Sequence, residues 1–190
     1  MTKLFLIALS LALLLCVGTG LSQTDPTIAT RRSTWLSVGG GLGTLTTSGG
    51  FCWRASFSLQ RGRHVLSGRA FGITEFIGDM VEPRSPRPEE SETEIALLYG
   101  YDLSSKSEYS VFSIGLGYVH SEHRGRIIPE PPLRLMHERV TIGSLGAAID
   151  LQVLLPLGSS VALGLSAAGN INATRSFGGG FVVLAIGSFD

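Results

Sequence analysis

Four consecutive residues, His120-Ser121-Glu122-His123, hold the three side-chain types of a hydrolytic triad. A serine nucleophile there would need an imidazole within hydrogen-bond reach and a carboxylate to orient that imidazole. In an extended chain, neighbours point to opposite faces, so His120 and Ser121 would turn away from each other. The cluster therefore reads first as the solvated end of a strand. His64 and His137 add no ligand-like spacing, so neither a metal nor another cofactor is expected. The run GGGLG at Gly39 to Gly43 is not followed by a helical pattern, so a phosphate-cradle reading fails on context.

Two further sets of residues remain. Arg54, Asp102, Asp150 and Gln152 fall on the small-residue side of alternating segments. Arg69 and Glu75 join them if the third segment is turned the same way. A charge inside a narrow interior must find a partner, so these six are expected to form a polar network filling a lumen. A gated or proton-conducting path is the sharper alternative. The other set is the arginines of two charged, proline-rich stretches. Arg84 and Arg87 lie in Gly78 to Ser91; Arg124, Arg126 and Arg134 lie in Ser121 to Glu138. They are the expected contact residues of external loops, because loops on a rigid scaffold often carry binding.

What positions these residues is a pattern of period two. It is clearest in Glu108 to His120, where Phe112, Ile114, Leu116 and Tyr118 alternate with Val111, Ser113, Gly115 and Gly117. Period two is a strand. Seven more segments can be drawn: Trp35–Thr44, Phe51–Gln60, His64–Ile77, Glu92–Tyr101, Arg139–Leu155, Val161–Asn170 and Phe177–Phe189. In the second, Phe51, Trp53, Ala55, Phe57 and Leu59 face away from Cys52, Arg54, Ser56, Ser58 and Gln60. The third leaves its orientation open, because Arg69 and Glu75 share a file with Val65, Phe71 and Ile73. Six of the eight prolines fall in the two long stretches between strands, and none inside a proposed strand, as central strands require.

Connections alternate in length. Those after the second, fourth and sixth strands are tight; those after the third and fifth are long. In an antiparallel barrel this puts the tight turns and both termini at one end and every longer loop at the other, the asymmetry of outer-membrane barrels. Bulky apolar files would then face lipid. Small residues such as Gly39, Gly41, Gly115, Gly117, Gly146, Ala162, Gly164 and Ser166 would line an interior that eight strands leave too narrow for a pore. Aromatics near the strand ends (Trp35, Phe51, Trp53, Tyr99, Tyr101, Tyr109, Tyr118, Phe177 and Phe189) would form interfacial girdles. A soluble sandwich would instead bury the bulky files under a second sheet.

Composition supports export and a membrane location. The chain has 190 residues, 25 of them glycine, with 16% charged residues and a mean hydropathy of +0.30. A formal net charge of zero gives no general attraction to nucleic acid. Lys3, the apolar run Leu4 to Val17 and the small residues before position 23 read as a secretory signal peptide over 1–22. A polar lead-in over 23–33 and a barrel domain over 34–190 follow. After the signal, Cys52 stands alone, so no internal disulfide can brace the fold, and a closed hydrogen-bonded ring would serve instead.

The signal peptide, the eight alternating strands, the hairpin YGYDLSSKSEYSVFSIGLGYVH and the closing FVVLAIGSF resemble small outer-membrane barrels of the OmpX, OmpA-domain and OmpW kind. The resemblance spans the mature chain and rests on pattern. It implies an all-β, eight-stranded antiparallel up-and-down transmembrane barrel in a Gram-negative-type envelope, with periplasmic termini. It implies a monomer with a structural or surface-interaction role and no enzymatic activity. Its partners would be outer-membrane lipid, lipopolysaccharide and the barrel-assembly machinery. That machinery reads a last strand ending on an aromatic. Here Phe189 is followed by Asp190, with Phe181, Val183, Ala185 and Phe189 on one face. The alternatives are a narrow channel or carrier of small apolar ligands, a lipid-modifying enzyme and a secreted soluble barrel.

Overall fold

A computed structural model describes residues 31–45, 48–75, 90–104, 108–130 and 134–189, the side chains of 127–130 and 134–136 excepted. The proposed signal peptide and the residues Arg84 and Arg87 lie outside the described residues. Eight strands follow one another: β1 (Arg32–Thr44), β2 (Gly49–Arg61), β3 (His64–Glu75), β4 (Ser91–Asp102), β5 (Tyr109–Glu130), β6 (Arg134–Pro156), β7 (Val161–Asn172) and β8 (Phe177–Ser188). Each pairs antiparallel with the next. β1 also pairs with β8, from Thr34↔Ser188 to Thr44↔Gly178, and this closes the barrel. Closure removes every sheet edge over the ring, so the ladder satisfies the wall's backbone groups without water.

Alternation sets what faces where. On β2 the exposed file is Phe51, Trp53, Phe57 and Leu59, while Cys52, Arg54, Ser56, Ser58 and Gln60 are buried. On β4 the exposed file is Ile95, Leu97, Tyr99 and Tyr101. On β5 it is Phe112, Ile114, Leu116 and Tyr118. Large apolar side chains thus cover the outside, and the buried polar and charged ones share the inside with a second set of apolar residues; an apolar outer wall is the reverse of a water-soluble barrel. Ring closure also settles β3. Arg54 pairs with Phe71 and Ser56 with Arg69, so the file Val65, Ser67, Arg69, Phe71, Ile73 and Glu75 shares the inner face.

The tight end is built by local turn chemistry. β2 and β3 are joined by Gly62-Arg63 alone, and Gly62 has φ 61°, a left-handed conformation that side chains with a Cβ disfavour. The turns β4–β5 and β6–β7 lie at this same end.

The structure corrects the expected loop at Ser121 to Glu138. β5 continues to Glu130 and β6 begins at Arg134. β4 pairing stops at Ser91↔Glu122 and β7 pairing at Gly146↔Asn172. Beyond those points β5 and β6 pair only with each other, with a register shift between Arg124 and Ile127. The eight residues His123–Glu130 make an overhang of roughly 25 Å at ~3.3 Å per residue. Pro129 therefore lies inside a strand, opposite Leu135. Each overhang strand has one neighbour and is therefore an edge strand, the place within a sheet where proline is found.

Candidate functional site

The interior is stacked in layers along the barrel axis. At the tight-turn end it is capped by rings. Trp35, Tyr109 and Phe189 are buried together, with centroids 5.4–6.2 Å apart. The expected interfacial positions of Trp35, Tyr109, Phe177 and Phe189 are thus corrected, since all four turn inward. The physical reason is alternation: Trp35 adjoins the outward Leu36, and Phe189 shares its file with Phe181, Val183 and Ala185, all buried. The shared face of the closing strand is the interior one. Each indole or phenol finds a partner there. Trp35 Nε1 donates to Gln152 Oε1 at 3.4 Å, and Ser33 Oγ lies 3.1 Å from Tyr109 Oη. Arg31 stacks over Tyr109 at 4.2 Å and lies 3.6 Å from Asp102. Gln60 Nε2 donates to Asp102 at 2.6 Å.

The middle layer is a charge cluster. Arg54 grips Asp150 with two parallel bonds, Nη1 to Oδ1 at 2.9 Å and Nη2 to Oδ2 at 3.0 Å. It also donates to Ser166 and, at 2.9 Å, to Ser56. Arg69 donates to Glu94 from Nε at 3.0 Å and from Nη2 at 2.5 Å. Its Nη1 reaches the Ile149 carbonyl at 2.8 Å and stands 3.7 Å from Asp150. Asn170 Nδ2 donates to the other Glu94 oxygen at 2.6 Å. Two cations thus meet two anions in one connected, charge-balanced network. Charge-assisted, forked pairing of this kind is the strong form of the hydrogen bond. Gly117 makes room for it: a Cβ there would stand 3.0 Å from both Asn170 Nδ2 and the Glu94 carboxyl carbon.

Above the cluster, Phe71 packs edge-on against Phe177 and Phe181, centroids 5.1 and 5.3 Å apart. Cys52, Ile73 and Val119 are buried in the same apolar cluster. At the loop end three ion or hydrogen-bonded pairs finish the stack. Ser121 donates to Glu92, Arg175 pairs with Glu90 at 2.8 Å, and Arg124 pairs with Glu75 at 2.5 Å.

The six residues expected in the lumen therefore divide. Arg54, Arg69 and Asp150 meet in the middle cluster; Gln152 and Asp102 belong to the tight-end layer; Glu75 stands at the loop-end rim. Glu92, Glu94 and Asn170 were missed, though all three are buried. The signal was present, because Glu92 and Glu94 share the even-numbered file of β4 with Asp102, opposite Ile95 and Leu97. Of the expected loop arginines, Arg124 is in β5 and tied to Glu75, Arg126 is exposed on the overhang, and Arg134 opens β6. His120 is exposed on the outer wall and Ser121 fully buried within, so the triad reading loses its geometry. His120 and Arg139 instead lie 4.0 and 3.5 Å from Glu122.

Comparisons with known proteins bear on the architecture. No protein-family model matches the chain, and no curated protein does. Solved structures with the same architecture exist. Neisserial surface protein A superposes with a TM-score of 0.55 at 11% identity, over 83% of this chain and 96% of that one. Ail, the attachment invasion locus protein of Yersinia pestis, gives 0.58 at 6% identity, over 84% and 100%. The N-terminal β-barrel domain of Pseudomonas aeruginosa OprF gives 0.51 at 9% identity, over 83% and 99%. Likeness at such low identity is a likeness of fold: a closed, eight-stranded, up-and-down antiparallel barrel.

Proposed function

We propose that this chain is a bacterial outer-membrane barrel whose role is structural or surface-interacting, with the tight turns toward the periplasm and the β5–β6 overhang outside the cell. The observation that carries the reading is the exposed belt. Large apolar side chains stand exposed on all eight strands, among them Leu42 at 60%, Phe51 at 63%, Ile95 at 70%, Leu116 at 75%, Leu145 at 75%, Leu165 at 65% and Val182 at 59%. Monomeric soluble proteins rarely expose contiguous apolar patches beyond a few hundred Å². Hydrocarbon is the solvent such a surface suits, and a ring of bonded strands is one of two structures that can cross it.

The filled interior argues against transport. Rings close one end, a neutral salt-bridge network fills the middle, and a second aromatic layer lies above it. The overhang is the element best placed to meet other molecules, since beyond the Arg124–Glu75 pair it extends past the ring and carries Arg126, His137 and Arg139.

Two experiments test this. In planar bilayers the purified chain should give no stepwise conductance; regular ion-conducting steps would overturn the plugged-lumen reading. In membrane fractionation it should stay with the detergent-resistant envelope and run faster unboiled than boiled. A soluble pool with no mobility shift would overturn the membrane reading.

A further inference from the structure

We propose that the outer rim at the tight-turn end holds the phosphate of an anionic lipid headgroup, gripped between Arg32 and Arg61. The inference rests on the membrane reading above. Arg32 and Arg61 are directly opposed across β1 and β2, and both are exposed on the outer wall. Like charges directly opposite each other destabilise a sheet. Among the described residues neither guanidinium has a hydrogen-bonding or ion-pairing partner. A cleft of ≈ 370 Å³ opens beside the pair, with Thr34, Leu59 and Ser188 in its wall. Two like charges with no counter-charge among the described residues, next to an open cleft, are the arrangement that an anion completes.

The surroundings select the anion. Arg61 opposes His64 and His64 opposes Tyr101, so the pair begins a polar and aromatic row around the rim. Arg63 stands 5.8 Å over Tyr101, and Tyr99 Oη lies 2.5 Å from His64 Nδ1. One step toward the barrel's middle, the next outward row is Thr34, Leu59, Leu66 and Tyr99. There the exposed apolar belt begins. Cations end where hydrocarbon contact starts. A phosphate seated between the two arginines accepts their forked donors, while the acyl chains it carries run over Leu59 and Leu66. Free inorganic phosphate shares the charge but makes no use of that apolar wall.

The test uses the full chain refolded in maltoside micelles and offered phosphatidylglycerol and phosphatidylcholine, with retained lipid counted by native mass spectrometry. Wild type should retain phosphatidylglycerol in excess. Arg32→Gln and Arg61→Gln should each cut that retention about fivefold, the factor expected for one arginine at an anionic lipid surface. Excess inorganic phosphate should leave the lipid bound; if it binds alone and strips the lipid, the lipid source is overturned. Without lipid, Arg61→Gln should resist urea better than wild type, because the repulsion is gone, and phosphatidylglycerol should reverse that order. Equal retention by wild type and both variants, all still showing the gel shift, would overturn the site and leave the membrane reading intact. Loss of the gel shift in wild type would instead strike the membrane reading itself.

Discussion

Arg69 and Glu94 have no exposed side-chain surface at all. Each has given up its hydration, and each is tolerable only because the other is there. Removing one partner strands the other in a dry interior, which costs about 3–5 kcal/mol, whereas replacing both with apolar residues of similar volume costs much less. Arg69→Met should therefore lower the urea midpoint of the refolded barrel sharply, and Glu94→Leu similarly. The double variant should fall well short of the sum in a double-mutant cycle. Strict additivity would mean that the pair is not coupled. At this scale the sequence was half legible. Arg54 and Asp150 declared themselves by sitting among serines and glycines opposite clean apolar files. Glu94 did not, because it stands at the loop end of its strand next to an acidic stretch that reads as solvated. Nothing local in β3 turned Arg69 inward either, since its file carries Val65 and Phe71 as well as charge. Pairing with β2 decided it.

The elements divide into those with two neighbours and those with one. Between Trp35 and Ser188 almost every strand residue in the ring has a partner on both sides, and there the period-two reading placed the strands to within a few residues. The overhang beyond Glu122 and before Gly146 has one. Prolines, glycine and mixed charge made it look like a loop, because a hairpin with open edges needs neither apolar alternation nor proline-free stretches. The Arg124–Glu75 pair ties the base of the overhang to β3, and the stretch beyond Arg124 leaves the ring's ladders untouched. Replacing 125–138 by a short turn should leave the unboiled gel mobility shift in place and shift the urea midpoint little. Trypsin added to intact cells should cut at Arg124, Arg126 or Arg139 and spare the ring. Loss of the folded form on trimming would show that the overhang braces the barrel.

For the molecule as a whole, the outer wall is apolar, unlike that of a water-soluble protein, while the interior alternates aromatic layers with paired charges. In the proposed membrane setting, the ring gives each half of the alternation its own solvent: hydrocarbon for the exposed bulky file, other side chains for the buried file. Closure could be expected from the sequence, because eight strands were legible and Cys52 would stand alone once the expected signal peptide, with Cys16, had left. Which aromatics line the lumen could have been read by the same alternation. Strand-end position pointed to girdles, and the narrow bore instead draws Trp35, Tyr109 and Phe189 inward to cap it. This leaves the two tryptophans on opposite sides of one wall. Trp53 is 48% exposed on the outer face, lying over Gly72, whose added Cβ would strike its ring; Trp35 is 1% exposed within. Trp35→Phe and Trp53→Phe each leave a single emitter in the proposed lipid-inserted barrel. With the chain refolded into vesicles of lipids brominated along the acyl chain, the Trp53 emission remaining in Trp35→Phe should be strongly quenched, and the Trp35 emission remaining in Trp53→Phe nearly untouched. Equal quenching of both, or quenching of neither, would contradict a barrel wall with lipid on one side and a packed interior on the other.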